Sequence, residues 1–385
     1  MSLELASISA ALLWILFLLG ERFLLDRARR SIRVVVHVNG TRGKSETTRL
    51  IAAALRASGI RTLAKTTGTE PRLILPDGSE TTLRRAGAPD VREQRWLLVR
   101  AAREKAVVLV AECMAVRAAA QDASTAFLAP SMLVITNARP DHLLELGDPD
   151  ATLEVFARGI PARGRVFTSE PTVAAALAPV ALARGASLET TEAFEGTRAV
   201  NADNAGLALA VALACGADRS RAIEAMSCHT PDPGASAIRR IASKQGGEIV
   251  FVDALAANDV VSTDLILAAN DASLGRSRGE GERLLLISNR ADRPDRALAF
   301  ATWAASGAGV RWDRVFVVGP LPAKARRILR STFAGSDGKG RPLLTRLGGG
   351  VVPAALAGLE GGTLVYGVGN WKGLGPALAE VTGGF

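Results

Sequence analysis

"VNGTRGKSETTR", residues 38–49, follows the run "IRVVVH" and precedes "LIAAALRASG". The β-branched residues before it predict a strand and the Ala and Leu residues after it predict a helix, so its glycines fall in a strand-to-helix turn. Backbone N–H groups of such a turn converge at the start of the helix, where the helix dipole also favours an anion. In that setting Lys44 neutralises β- and γ-phosphate charge and Ser45 offers its hydroxyl to Mg²⁺. Against the full pattern G-x-x-x-x-G-K-[ST], Val38 stands where the first glycine belongs. The stretch therefore reads as a shortened G-x-x-G-K-S phosphate loop, with a plain strand-to-helix turn as the alternative.

Outward from this turn, short β-branched runs alternate with Ala/Leu-rich stretches, the pattern of a mostly parallel sheet covered by helices. Strands are predicted near 32–38, 61–65, 106–112, 131–136 and 164–168, and helices near 45–57, 89–104, 121–127 and 150–159. "LILPDGSETTL" predicts a hairpin around Pro76-Asp77-Gly78. Two Ala-rich helices, near 202–214 and 218–227, close this half. Turn formers concentrate in "HTPDPGASA", 229–237, which predicts a hinge. Beyond it a second alternation begins, with strands near 248–253, 283–288, 313–318 and 363–366. A chain of 385 residues exceeds one comfortable core. The expected organisation is an anchor at 1–30, a central phosphate-loop domain at 31–233 and a smaller Rossmann-like α/β domain at 234–385.

The anchor rests on Leu5 to Gly20, sixteen residues without a charge, continued by Phe23, Leu24 and Leu25. A helix of about 20 such residues spans a bilayer. No basic region precedes the run, as a cleaved signal would have, and Arg22, Arg27, Arg29, Arg30 and Arg33 follow it. By the positive-inside rule the remainder is cytoplasmic, at the cell (inner) membrane. A soluble or peripheral helix is the alternative.

The formal charge is +9, and only seven of the 47 basic residues are Lys. An anionic partner is implied. Nucleic acid is disfavoured, since aromatic residues are 4% and no zinc finger, RNP-like stretch or base-reading helix is visible. Three cysteines without metal-type spacing suggest neither disulfides nor zinc.

Two further strand ends carry chemistry. "AVVLVAECMAV" ends its strand near Glu112, a hard oxygen ligand for Mg²⁺ in the crevice where open α/β sheets bind ligands. Its alternative role is a cap on the next helix. "SMLVITNARPDHLLELG" sets His142 six residues past another strand tip, beside Asp141 and after Asn137. That position suits metal or substrate binding, or a capping or core histidine.

Taken in order, "NGTRGKS", "KTTGTEPR", "ECMAV", "TNARPDHLLELG", "NADNAGLALAVA", "PDPGA", "DALAANDVVST", "NRADRPDR" and "VYGVGN" resemble the membrane-anchored, ATP-dependent subunit of poly-γ-glutamate synthase, within the Mur ligase superfamily. The resemblance spans about residues 30–375. It implies an ATP- and Mg²⁺-dependent amide ligase that activates a chain carboxylate as an acyl phosphate and joins it to the amine of glutamate. It also implies a small multi-spanning membrane protein as partner, polyglutamate as the bound polymer and room for a homo-oligomer.

The resemblance assigns Asn39, Gly40, Thr41, Arg42, Gly43, Lys44, Ser45, Glu46, Asn201, Asn204 and Asp253 to ATP. It assigns Ser45, Thr66, Thr67, Glu112 and His142 to metal, with Lys44, Glu112 and His142 catalytic. Arg72, Asn258, Arg290 and Arg293 take the carboxylates of substrate, with Asp292 and Arg296 beside them. For "NRADRPDR" a solvated helix start with ordinary ion pairs is the alternative. One departure stands out: many Mur ligases bridge their metal with a carbamylated lysine, and no Lys occurs between Lys105 and Lys244. A folylpolyglutamate- or cyanophycin-type enzyme is disfavoured by the anchor and by the lack of a pterin-binding insertion or second ATP-binding domain. An ATPase that energises a membrane export partner without ligation is the competing reading.

Overall fold

The computed structural model describes residues 3–68, 71–83, 90–115, 117–138, 149–196, 201–229, 236–257, 259–274, 282–307, 312–371, 374–375 and 377–378. Two compact units are present, Met1–Asp232 and Pro233–Phe385.

The first unit opens on helix α1 (Leu3–Ser31). Leu12, Leu13, Trp14, Leu16 and Phe17 are each more than half exposed, so among the described residues nothing covers this apolar stretch. Its last turns are docked along one side. Ala28 and Ile32 are buried, Glu21 pairs with Arg95, and Arg29 donates to the carbonyl oxygens of Leu128 and Ala129 at 3.0 Å each. At 1.5 Å per residue the helix is about 43 Å long. Among the described residues it is the one helix long and apolar enough to cross a membrane.

The sheet of this unit contains β1 (Val34–Asn39), β2 (Thr62–Lys65), β3 (Arg72–Ile74), β4 (Glu80–Thr82), β5 (Val108–Glu112), β6 (Met132–Ile135), β7 (Arg165–Thr168) and β8 (Ser187–Thr190). Their order is β4-β3-β2-β5-β1-β6-β7-β8, with only the β2-β3-β4 pairings antiparallel. The chain runs from β1 to β2 across the place that β5 fills, and later places β6 on the other side of β1. The strand order thus reverses at β1, and crevices at such points, outside the carboxyl ends of strands, are where ligands bind. Register sets Val38 beside Glu112 and Asn39 beside Ile135.

Helices α2 (Lys44–Ala57), α3 (Glu93–Arg103), α4 (Ala118–Leu128), α5 (Pro149–Arg158), α6 (Pro171–Ala183), α7 (Ala202–Ala214) and α8 (Arg219–Ser227) cover the two faces. Because strand side chains alternate, Val36, Val38, Val110 and Val134 pack with α2, α7 and α8. Val35, Leu109 and Ala111 meet α3 and α4 on the opposite face, and Leu133 and Ile135 meet α5 and α6 there. Two elements depart from the sequence expectation. Helix α6 is almost wholly apolar and holds Pro179, so its sequence lacks a clean helical period. Strand β8 is a short edge strand with mostly exposed side chains.

The second unit is a six-stranded sheet of β9 (Ala237–Ala242), β10 (Glu248–Ala254), β11 (Arg283–Ser288), β12 (Arg314–Val318), β13 (Leu344–Leu347) and β14 (Leu364–Val368), ordered β13-β12-β11-β14-β10-β9. Only β9 is antiparallel. Helices α9 (Val260–Ser273), α10 (Pro294–Ser306) and α11 (Ala323–Thr332) bury Leu267, Phe300 and Leu329 against one face. Helix α12 (Val352–Ala357) buries Val352 and Leu356 against the other. The edge strands β9 and β13 also lie outside the sequence expectation. "AIRRIA" and "LTRL" present charge or partial exposure at alternate positions rather than an apolar run.

Candidate active site at the carboxyl edge of the first sheet

The loop after β1 is shaped by two glycines. Gly40 and Gly43 have φ of 123° and 79°, conformations that side chains disfavour. Space forbids them as well. A Cβ on Gly40 would lie 2.1 Å from Thr136 Oγ1 and 2.9 Å from the Thr136 backbone nitrogen, and one on Gly43 would lie 2.6 Å from Asn204 Nδ2.

Side chains from the segment just after β6 and from α4 fix the loop. Asn137 Oδ1 accepts from Thr41 Oγ1 at 2.6 Å and from the Arg42 N–H at 3.0 Å, while Asn137 Nδ2 donates to the Arg42 carbonyl at 3.0 Å. Thr136 Oγ1 donates to the same carbonyl at 2.5 Å. Asn39 accepts from the Gly40 N–H at 2.8 Å and donates to buried Gln121 at 2.7 Å. Lys44 begins α2, and its ammonium donates to the Gly40 carbonyl at 2.6 Å and to that of Thr41 at 3.2 Å, which keeps the cation over the loop.

Beside the loop, Glu112 ends β5 almost wholly buried. One of its oxygens, Oε2, accepts from Ser45 Oγ at 2.8 Å and from the Thr67 N–H at 2.6 Å. Thr67 thus meets the carboxylate through its backbone. The Thr66 hydroxyl accepts from the Arg72 N–H at 3.3 Å and closes the turn between β2 and β3, which places Arg72 at the start of β3. Ser45 and Glu112 form a compact pair of hard oxygen donors, with Ser45 the next residue after Lys44, a donor set suited to Mg²⁺. Among the described residues no group of three or more His, Cys, Asp or Glu side chains gathers as a metal site.

Glu46 faces the other way. It accepts from Asn204 Nδ2 at 2.6 Å and from the Asn201 N–H at 3.4 Å. Burial pushes its carboxyl up, against the lowering effect of those two hydrogen bonds. The Asn201 side chain caps α7, accepting from the N–H groups of Asp203 and Asn204 at 3.0 and 3.2 Å. This Asn pair therefore braces Gly43 and the first turn of α2. On the opposite face of the sheet, buried Lys65 pairs with Glu93 at 3.0 Å, and His37 is held neutral by burial and by Lys65, its pKa lowered to about 4.

In the second unit Asp253 stands one residue before the end of β10, almost fully buried, with Arg239 at 3.6 Å. Burial outweighs that cation and pushes the carboxyl up to about 6. A raised folded pKa means that the native state holds the proton more tightly than the unfolded chain, so the contribution of Asp253 to stability is greatest at acid pH and is lost as pH rises from about 4 through 6. The D253N variant, permanently neutral, is expected to melt above the parent at pH 8, by at most about 3 kcal/mol of stability, with the gap closing towards pH 4. Thermal unfolding at the two pH values checks this; a lower melting temperature at pH 8 contradicts it. Arg290 forms a two-pronged pair with exposed Asp292, at 2.9 and 2.7 Å, and Arg293 stands at the N-cap of α10. Arg296 donates to Asn370 at 2.6 Å. His142 and Asn258 lie outside the described residues.

Residues 38–158 match the family model described as the Mur ligase middle domain, and residues 238–383 match the poly-gamma-glutamate synthase CapB C-terminal domain. The capsule biosynthesis protein CapB of Bacillus anthracis is 35% identical over 283 residues, 70% of this chain and 60% of that protein. The PGA synthase CapB of Bacillus subtilis is 32% identical over 286 residues, 70% of this chain and 71% of that protein. The chain belongs to the CapB family. Its matched part spans less than two thirds of the Bacillus anthracis relative. The fold is also that of a bifunctional folylpolyglutamate synthase/dihydrofolate synthase from Yersinia pestis, solved with AMPPNP and Mn ion, with a TM-score of 0.64 over 92% of this chain and 93% of that one, at 14% identity.

The Mur ligase match begins at Val38, so the shortened loop and Glu112 both fall inside the family's middle domain. Sequence reasoning gave no role to Thr136, Asn137 or Gln121. Each acts through a contact at least 80 residues away along the chain, and only the pairing of β6 with β1 and the packing of α4 on β1 reveal it.

Proposed function

We propose that this CapB-family chain is an ATP-dependent amide ligase of poly-γ-glutamate synthesis. The observation that carries the reading is the meeting of Ser45, Glu112 and the Thr67 N–H beside a glycine loop crowned by Lys44. The loop from Asn39 to Glu46 holds the triphosphate of ATP. Gly40 and Gly43 let the loop backbone lie against Thr136 and Asn204, where a Cβ would collide, and so hold its N–H groups in place for phosphate. Ser45 and Glu112 fit a divalent cation, which when bound neutralises charge on the phosphoryl group in flight.

In the proposed reaction an oxygen of the growing chain's terminal carboxylate attacks the γ-phosphorus and ADP leaves. The amine of glutamate then attacks the acyl carbon, phosphate leaves, and the amine gives up a proton as the amide forms. Lys44 steadies the phosphate charge throughout. Residues 31–233 act as the ATP-binding domain and 234–385 as the second ligase domain, where Asp253 serves nucleotide and Arg290 and Arg293 serve the carboxylates of substrate. Arg72 has the same duty in the first. Asn201 and Asn204 support ATP through Gly43 and Glu46. His142, Asn258 and the hydroxyls of Thr66 and Thr67 complete the proposed metal and substrate sites. We place the chain at the cell membrane through α1, its exposed apolar stretch favouring lipid and a small multi-spanning partner.

The expected result is release of ADP and phosphate that depends on both a polyglutamate acceptor and an amino acid, with glutamate preferred. Mass spectrometry of the mixture should find amide-linked oligomers one residue longer. Hydrolysis indifferent to every acceptor, with the membrane partner present, returns the chain to the ATPase reading.

A further inference from the structure

Helix α11 carries a concentration of positive charge that the ligase chemistry leaves unused. Its sequence, "AKARRILRST", buries Ala325 and Leu329 in the core of the second unit and turns Lys324, Arg327 and Arg330 outward. Ala323, Arg326, Arg327 and Arg330 are mutual neighbours at the three- and four-residue spacings of one helix face. Ala323, Arg326, Arg327, Arg330 and Ser331 line a shallow, open depression with a volume of about 420 Å³. Among the described residues no acidic side chain pairs with Lys324, Arg326, Arg327 or Arg330, although ion pairs occupy much of the remaining Arg surface. The buried Nε of Arg326 has no acceptor.

Placement sharpens the point. Cations stabilise the C-terminal end of a helix and oppose the dipole at the N-terminal end. Lys324 and Arg326 nevertheless stand in the first turn of α11, which holds no acidic residue. Like charges crowded against the dipole cost stability, and an anion in the hollow offsets that cost. Guanidinium forks bind carboxylates two-pronged, so a row of them suits a polycarboxylate.

We propose that this groove holds the body of the anionic polyglutamate chain, away from the end that is being extended. The assignment rests on the ligase reading for the identity of the polymer. A lipid surface is the other anionic partner to consider, but an interfacial helix needs a free apolar face to enter the headgroups. The apolar face of α11 is spent on the protein core, and its exposed positions are Ala323, Lys324, Arg327, Arg330, Ser331 and Thr332.

The test uses the full chain in detergent. Binding of an end-labelled poly-γ-glutamate oligomer is measured for the parent, for Arg327→Glu/Arg330→Glu and for Arg327→Lys/Arg330→Lys, across a salt series. The Glu variant is expected to bind the oligomer about tenfold or more weakly and with less salt dependence, while the Lys variant keeps the parent's salt dependence and falls between the two in affinity, since it keeps the charge and loses the two-pronged geometry. Binding to liposomes containing phosphatidylglycerol should be the same for all three. Addition of glutamate to a single-glutamate acceptor should also be unchanged, because that acceptor is too short to use the groove. Loss of liposome binding with oligomer binding intact reassigns the face to the membrane. Equal oligomer binding by parent and Glu variant, or none by the parent, overturns the proposal. A parent that binds the oligomer but joins no glutamate overturns the ligase reading and leaves the groove standing.

Discussion

Glu112→Gln is expected to cut ATP-driven amide formation by at least about 10²-fold, more than the usual loss from an outer-shell partner of a metal. Gln keeps the volume of Glu, and its amide oxygen can still accept from Ser45 and from the Thr67 N–H, the two bonds that fix Glu112 at 2.8 and 2.6 Å. The change therefore removes charge and little else. Without that charge the pair offers a divalent cation two neutral oxygens, a weak site for a hard ion. Nucleotide should still bind through the loop backbone and Lys44, but added Mg²⁺ should no longer tighten it. The decisive measurements are ADP release with acceptor present and the affinity for a fluorescent ATP analogue with and without Mg²⁺. A variant within tenfold of the parent in rate, or one whose affinity responds to Mg²⁺ as the parent's does, removes Glu112 from the metal site. Because the residue is buried, thermal unfolding should accompany both, and a melting temperature near the parent's rules out collapse of the fold.

That prediction could be framed from sequence because the candidate site residues stand at strand ends. Gly40, Gly43, Lys44 and Ser45 are close neighbours in sequence, and local spacing alone marks a loop of this kind. Glu112 lies 67 residues from Ser45, yet a carboxylate ending an apolar run announces the tip of a neighbouring parallel strand. Thr136 and Asn137 give no such notice, since their value comes from hydrogen bonds to Thr41 and Arg42 that exist only once β6 lies beside β1. The sequence pointed Asn201 towards nucleotide, whereas its side chain is engaged as the cap of α7. The same physics governs the strands. Central strands β1, β5 and β11 are buried on both faces and read as predominantly apolar runs, while edge strands β8, β9 and β13 leave most of their side chains partly or fully in water and lose that signature.

A second large effect follows from the fit around Gly40. Gly40→Ala is expected to abolish ATP binding at concentrations that saturate the parent, a loss of about 10²-fold or more when strain and overpacking each cost about 1–3 kcal/mol. The added Cβ would lie 2.1 Å from Thr136 Oγ1, a contact that a rotation of the hydroxyl could relieve. Rotation cannot move the Thr136 backbone nitrogen at 2.9 Å, which directly follows β6 and donates to the Asn39 carbonyl at 3.0 Å. The loop must shift instead, and in shifting it gives up the bonds from Thr136 and Asn137 that aim its N–H groups. Gly59 supplies the control. It too has a positive φ, 78°, but a Cβ there meets nothing within 4 Å, so Gly59→Ala carries the backbone strain without the collision. Gly59→Ala should lower the melting temperature modestly and leave ATP affinity at the parental value. Calorimetric titration of both variants separates the two costs. If Gly40→Ala binds ATP as Gly59→Ala does, the close approach of β6 to the loop has no part in holding phosphate.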